Sequence, residues 1–165
     1  MSSKKFNESE LEGAVIELFR KEGYTHIDGK IFQNVTEVLL LDDLRQFILN
    51  RYVAENLTEV ELQKIINKIS LINSTPLYAG NREAFFLINE GFTLQRDDIS
   101  KVGLHVDYID FDKPEKNIFK VVNQFSVEGE HLCRPDLLLF INGIPIAIFE
   151  FKSAIREDTT IHDAW

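Results

Sequence analysis

The feature that most constrains this chain is a paired apolar segment bracketed by charge. Arg134-Pro135-Asp136 leads into Leu137-Leu138-Leu139-Phe140-Ile141, Asn142-Gly143 follows, and Ile144-Pro145-Ile146-Ala147-Ile148-Phe149 runs into Glu150-Phe151-Lys152. Two short apolar runs separated by Asn-Gly read as a β-hairpin. Leu137, Leu139, Ile141, Ala147 and Phe149 fall on one face; Leu138, Phe140, Ile146 and Ile148 fall on the other. Strands apolar on both faces belong in the middle of a covered sheet, so a central sheet with helices over it is expected.

The charges at the strand ends carry the chemical interest. Carboxylates beside an apolar run are costly unless paired or bound to a metal. Asp136 and Glu150 are candidate ligands for a hard divalent cation such as Mg²⁺, which commonly takes one or two carboxylates and keeps several waters. Period-2 alternation puts Lys152 on the face of Glu150. Two carboxylates and an ammonium suit hydrolysis of a phosphodiester, which needs a cation on a non-bridging oxygen, an activated water and positive charge near the phosphate. The bland reading is that Asp136 flanks a turn and that Glu150 and Lys152 form a strand-end ion pair. The turn discriminates: a two-residue Asn142-Gly143 loop would pair Asp136 with Phe149 and send the two carboxylates to opposite faces. An odd loop or a bulge would bring them together, so the catalytic reading predicts an odd loop.

With these residues in view, the chain resembles the N-terminal endonuclease region of the restriction (R) subunit of Type I restriction-modification enzymes, a branch of the PD-(D/E)xK nucleases. The resemblance begins at Glu8-Ser9-Glu10-Leu11-Glu12 and runs through Leu18 to Gly23-Tyr24. It continues with Asp110, Pro114, Asn117, Phe119, Val121 and Asn123-Gln124-Phe125, and ends with Arg134-Pro135-Asp136, Asn142-Gly143, Pro145 and Glu150-Phe151-Lys152. It implies an α/β (α+β) fold with a central mixed β-sheet flanked by helices, and a Mg²⁺-dependent DNA endonuclease with Asp136, Glu150 and Lys152 as catalytic residues. A glutamate on the first helix often completes such a site, and Glu12 is the candidate. The resemblance also implies modification and specificity subunits as partners, and ATP as a cofactor of the full-length subunit only. No Walker-type phosphate loop occurs in these residues.

The family continues past Glu-x-Lys into a helix bearing a Gln and a Tyr, and then into a translocase. The chain is therefore expected to be a single nuclease domain, residues 1–165, at the N-terminus of a larger subunit, with residues 35–80 as a helical insertion. The rival expectation is a non-catalytic assembly or DNA-docking module that keeps the nuclease fold.

Composition sets the limits. The 165 residues are 44% hydrophobic, with thirteen phenylalanines, enough for one sizeable core. The lone cysteine, Cys133, excludes a disulfide framework, and no membrane-length apolar run is present; a cytoplasmic protein is expected. A net charge of −9 argues against strong independent DNA binding. Arg134, Lys152, Arg156 and Gln124 are the candidate DNA contacts, with ordinary surface pairing an equal account of the arginines. The four histidines are scattered, and structural or surface roles are expected for them.

Along the chain, residues 8–22 form an amphipathic helix with Leu11, Val15, Leu18 and Phe19 inward and Gly23 as its stop. The pattern is helical from Val35 to about Asn56, and Thr58-Glu59-Val60-Glu61 is a capping box opening a helix toward Ile72. Residues 73–80 are expected as a loop, with Asn81 capping a short helix that ends at Gly91. Strands are expected at Phe92–Gln95, His105–Phe111 and Ile118–Phe125, with a turn at Asp112–Glu115.

Overall fold

Asn142 and Gly143 both take positive φ, 52° and 79°, the backbone of a two-residue hairpin turn whose twist matches its strands. The sequence Asn-Gly is what such a turn demands, because both residues tolerate the left-handed region. The computed structural model that shows this describes residues 7–32, 37–74, 76–128 and 132–152. Its elements are α1 (Glu8–Lys21), β1 (Thr25–Asp28), α2 (Leu41–Arg51), α3 (Glu59–Ser70), α4 (Leu77–Glu90), β2 (Phe92–Leu94), β3 (Leu104–Val106), β4 (Phe119–Asn123), β5 (Val127–Glu128), β6 (Leu132–Cys133), β7 (Leu137–Ile141) and β8 (Ile144–Phe149). Helices and a mixed sheet make the fold α+β, as expected. The chain divides into two compact units.

The first unit comprises residues 1–38, 119–140 and 145–165, and its main sheet has the order β1-β4-β7-β8. The strands β1 and β4 are parallel, with Asp28 beside Asn123. Hydrogen bonds from Gln124 N to Asp136 O and from Asn142 N to Ile118 O set β7 antiparallel to β4. The helix α1 covers one face: Ile16 packs with Val121 and Leu137, and Val15, Phe19, Tyr24, Leu139, Phe149 and Phe151 surround them. A capping box starts α1, with Asn7 Oδ1 accepting from Glu10 N and Glu10 accepting from Asn7 N. The expected inward face of α1 needs one correction. Leu18 is 57% exposed and Ile16 is buried instead, because the stripe that meets the sheet passes through Val15, Ile16 and Phe19.

The second unit comprises residues 39–118 and 141–144. Its core joins Leu44, Phe47 and Ile48 of α2, Leu62, Ile65, Ile66 and Ile69 of α3, and Leu87 of α4 with Leu94, Val106, Tyr108 and Ile144. The capping box at Thr58 forms as expected: Thr58 Oγ1 accepts from Glu61 N, and the Glu61 carboxylate accepts from Thr58 N. The neighbouring helix boundaries differ from expectation. The helix expected from Val35 begins at Leu41. The helix α4 starts at Leu77 behind Pro76, with Gly80 inside it, since Pro at a helix start supplies a fixed φ and no amide that needs a partner. The strand expected to run to Phe111 stops at Val106.

That shortening has a physical reason. Asn142 is fully buried; its Nδ2 donates to Tyr108 O and Asn117 Oδ1, both at 2.8 Å, and its Oδ1 accepts from Ile118 N at 2.7 Å. Asn117 in turn accepts from Asp110 N and donates to Asp110 O. Side-chain amides therefore replace the ladder after Val106. Gly143 O accepts from Leu40 N at 2.9 Å, and a Cβ on Gly143 would lie 2.2 Å from Leu40 O. Thus Asp110, Asn117, Asn142 and Gly143, all in the family resemblance, hold the hairpin tip in place.

Candidate active site

The antiparallel and parallel pairings bring the ends of β1, β4 and β8 and the start of β7 to one edge of the sheet. Asp136 stands immediately before β7, and Glu150 immediately after β8. Asp136 Oδ2 accepts the backbone N–H of Phe151 at 2.7 Å, which ties the two ends of the hairpin together. The Asp136 and Glu150 carboxyls interact directly: burial first, then the like charge of Asp136, holds the Glu150 carboxyl above its usual range, while Lys152 pulls in the opposite direction. Asp136, Glu150 and Lys152 are thus gathered. Among the described residues, Lys152 makes no ion pair with either carboxylate and stays exposed.

The odd loop expected for this convergence is not present, since the turn is the two-residue form. Convergence arises elsewhere. Leu137 and Leu139 share the α1 face with Phe149 and Phe151, and Phe19 of α1 meets Phe149 edge-on at 5.8 Å. A regular ladder from a two-residue turn would oppose Leu137 to Ile148, so this packing requires a one-residue register shift between turn and strand ends. The expectation that β8 lies mid-sheet is also corrected. It is an edge strand, with Ile146 42% and Ile148 67% exposed.

Glu12 occupies a different setting. Its Oε1 accepts from Asn123 Nδ2 at 2.8 Å, and Asn123 Oδ1 lies 2.9 Å from His26 Nε2. Alternation from Val121 puts Asn123 on the α1 face, whereas Asp136 and Glu150 alternate with residues that face α1. Among the described residues, no three His, Cys, Asp or Glu side chains assemble into a metal site. The relay through His26 went unforeseen; the signal available was Asn123-Gln124 itself, expected at a strand end. Gln124 takes φ 55°, rare for a non-glycine residue, and its N–H bonds to Asp136 O at 3.2 Å, so it abuts the carboxylate pair through its backbone. Gly29 lets β1 approach: a Cβ there would lie 2.4 Å from Asn123 O. Arg134 is exposed beside buried Pro135. Arg156 and the helix expected after Lys152 lie outside the described residues, as does His131.

The profile of the family described as Type I restriction enzyme R protein N terminus matches residues 5–165. The chain belongs to that family. It is 33% identical over 167 residues to the putative Type I restriction enzyme MjaIXP endonuclease subunit of Methanocaldococcus jannaschii, a match covering 94% of this chain and 16% of that protein. The Type I restriction enzyme SsaAORF53P endonuclease subunit of Staphylococcus saprophyticus is 27% identical over 96% of this chain and 16% of its own length. The HindI endonuclease subunit of Haemophilus influenzae is 22% identical over the same shares of the two chains. The chain thus spans about one-sixth of these relatives. No described helix is long and apolar enough to cross a membrane.

Proposed function

We propose that Asp136, Glu150 and Lys152 form the Mg²⁺-dependent centre with which a Type I restriction subunit cleaves DNA. The observation that carries this reading is the closely placed carboxylate pair: burial and then the like charge of Asp136 push the Glu150 proton affinity up against the pull of Lys152, which forms no ion pair with either acid among the described residues. Such a site is stabilised by an added cation. Two carboxylates match the donor set that Mg²⁺ commonly takes from a protein.

Asp136 and Glu150 would hold a divalent cation, which would polarise the scissile phosphate and lower the pKa of a water. The Phe151 N–H fixes one oxygen of Asp136. Lys152 neutralises charge that builds on the phosphate and orients the attacking water. Glu12, held by Asn123 on the α1 face, is the candidate third carboxylate of this reading. Arg134, Arg156 and Gln124 serve as DNA contacts in this reading. In the full-length subunit, ATP-driven translocation would deliver DNA to the centre, with modification and specificity subunits supplying recognition, in the cytoplasm.

Calorimetric titration of Mg²⁺ or Mn²⁺ tests the proposal. The parent should bind, and Asp136→Ala and Glu150→Ala should each lose binding. Binding unchanged in both variants would rule out this centre and favour the non-catalytic docking reading, to which the net charge of −9 also points.

A further inference from the structure

Within the second unit, a cleft of about 640 Å³ is lined by Phe47, Asn50, Arg51, Tyr52, Asp110, Lys113 and Lys116. Its charge is sorted by a single 3₁₀ turn, Pro114–Lys116. Lys113 precedes the turn as its N-cap and Lys116 ends it, while Asp112 and Glu115 alternate with them in the chain. The lysines line the cleft and the two acids do not. Arg51 is ion-paired to Asp110 and, at 2.8 Å, to Asp107, so its positive charge is more than offset. The two lysines therefore supply the cleft's net positive charge, in a chain that is acidic overall.

We propose that this cleft is a phosphate-binding subsite for the backbone of nucleic acid, held by the Lys113 and Lys116 ammonium groups with Asn50 available as a polar contact. This inference rests on the nuclease reading for the choice of DNA as ligand. The recognition is independent of sequence, since ammonium groups contact phosphates as point charges. The subsite also accounts for how an acidic domain engages DNA: charge is concentrated on one surface rather than spread over the chain.

The test is fluorescence anisotropy with a labelled 30-base-pair DNA duplex across a series of KCl concentrations, without divalent cation so that no cleavage occurs. Lys113→Gln/Lys116→Gln should weaken binding at low salt and reduce the slope of log affinity against log salt by about 2, one phosphate contact per lysine. Asp112→Asn/Glu115→Gln on the same turn should leave binding equal or tighter. Thermal melting of each variant separates lost contact from lost fold. An unchanged slope in a folded lysine variant, or no DNA binding by the parent, would overturn the subsite. Displacement of DNA by low ATP or inorganic phosphate, with an unchanged slope, would also overturn it in favour of a mononucleotide pocket. None of these results depends on metal binding at Asp136 and Glu150, so the subsite and the cleavage centre fail separately.

Discussion

Two places in this molecule contain the same ingredients, two carboxylates and one base, and use them in opposite ways. In the second unit Arg51 is ion-paired to both Asp107 and Asp110. Tyr52 Oη accepts from Asp107 N, Asp110 Oδ1 accepts from Lys113 N, and Asn117 and Asn142 complete the surrounding bonds. Each carboxylate there is held directly by the Arg51 guanidinium. In the first unit Asp136 and Glu150 face one another, and Lys152 bonds to neither among the described residues. Composition does not distinguish these clusters, which carry the same formal charge; direct ion pairing does. A satisfied network fixes a fold, whereas a site that retains like charge is poised for a ligand.

The comparison breaks most visibly in activity. In a full-length subunit carrying this domain, Asp136→Ala or Lys152→Ala should lower DNA cleavage by about 10³-fold or more while sparing ATP hydrolysis. Loss of both activities would assign these residues to folding. Asn142→Ala should do the reverse: leaving Tyr108 O and Ile118 N without their partner should cost about 2–3 kcal/mol of stability, read by urea denaturation. Arg51→Ala is expected to cost roughly 2 kcal/mol, less than for a fully buried pair because the Arg51 side chain retains 21% exposure.

Smaller effects sharpen the contrast through pH. The Glu61 carboxylate, 1% exposed, accepts from Arg96 Nε at 2.8 Å and from Thr58 N and Asp97 N. The Arg96 bond, with the backbone donors, lowers its pKa from 4.5 to about 2 against the effect of burial. Its contribution is present above pH 4.5 and is lost as pH falls toward about 2. Glu150 shifts upward, so its folded form takes up a proton first, and its contribution improves as pH falls through its folded pKa. Glu61→Gln should therefore flatten acid destabilisation, measured as Tm against pH. Glu150→Gln should be neutral or stabilising by a few tenths of a kcal/mol at neutral pH, given the exposure of the residue.

Local chemistry was the most legible part of the sequence. The Thr58 capping box, the stop at Gly91 and the Asn142-Gly143 hairpin each rest on residues adjacent in the chain, and each formed. Features that depend on distant partners were not legible. The strand β1 has four residues, none fully buried, and exists because it pairs with β4. Tyr108 and Ile109 are buried yet leave the strand, because Asn142 and Asn117 claim their neighbourhood's backbone groups. For the site, the triad positions were readable from charge at strand ends, but their convergence was not. It depends on a register shift rather than on the loop, and the tie from Phe151 N to Asp136 has no sequence signature.

In the proposed reading Asp136 and Glu150 form one cation-binding pair. Titration of the Glu150 side-chain carboxyl by carbon NMR, with and without Mg²⁺, tests it most directly. The account predicts a pKa above the usual carboxylate value in the free protein, a downward shift on adding Mg²⁺, and a return toward the usual value in Asp136→Asn. A Glu150 that titrates normally and ignores both Mg²⁺ and the Asp136 substitution would contradict it.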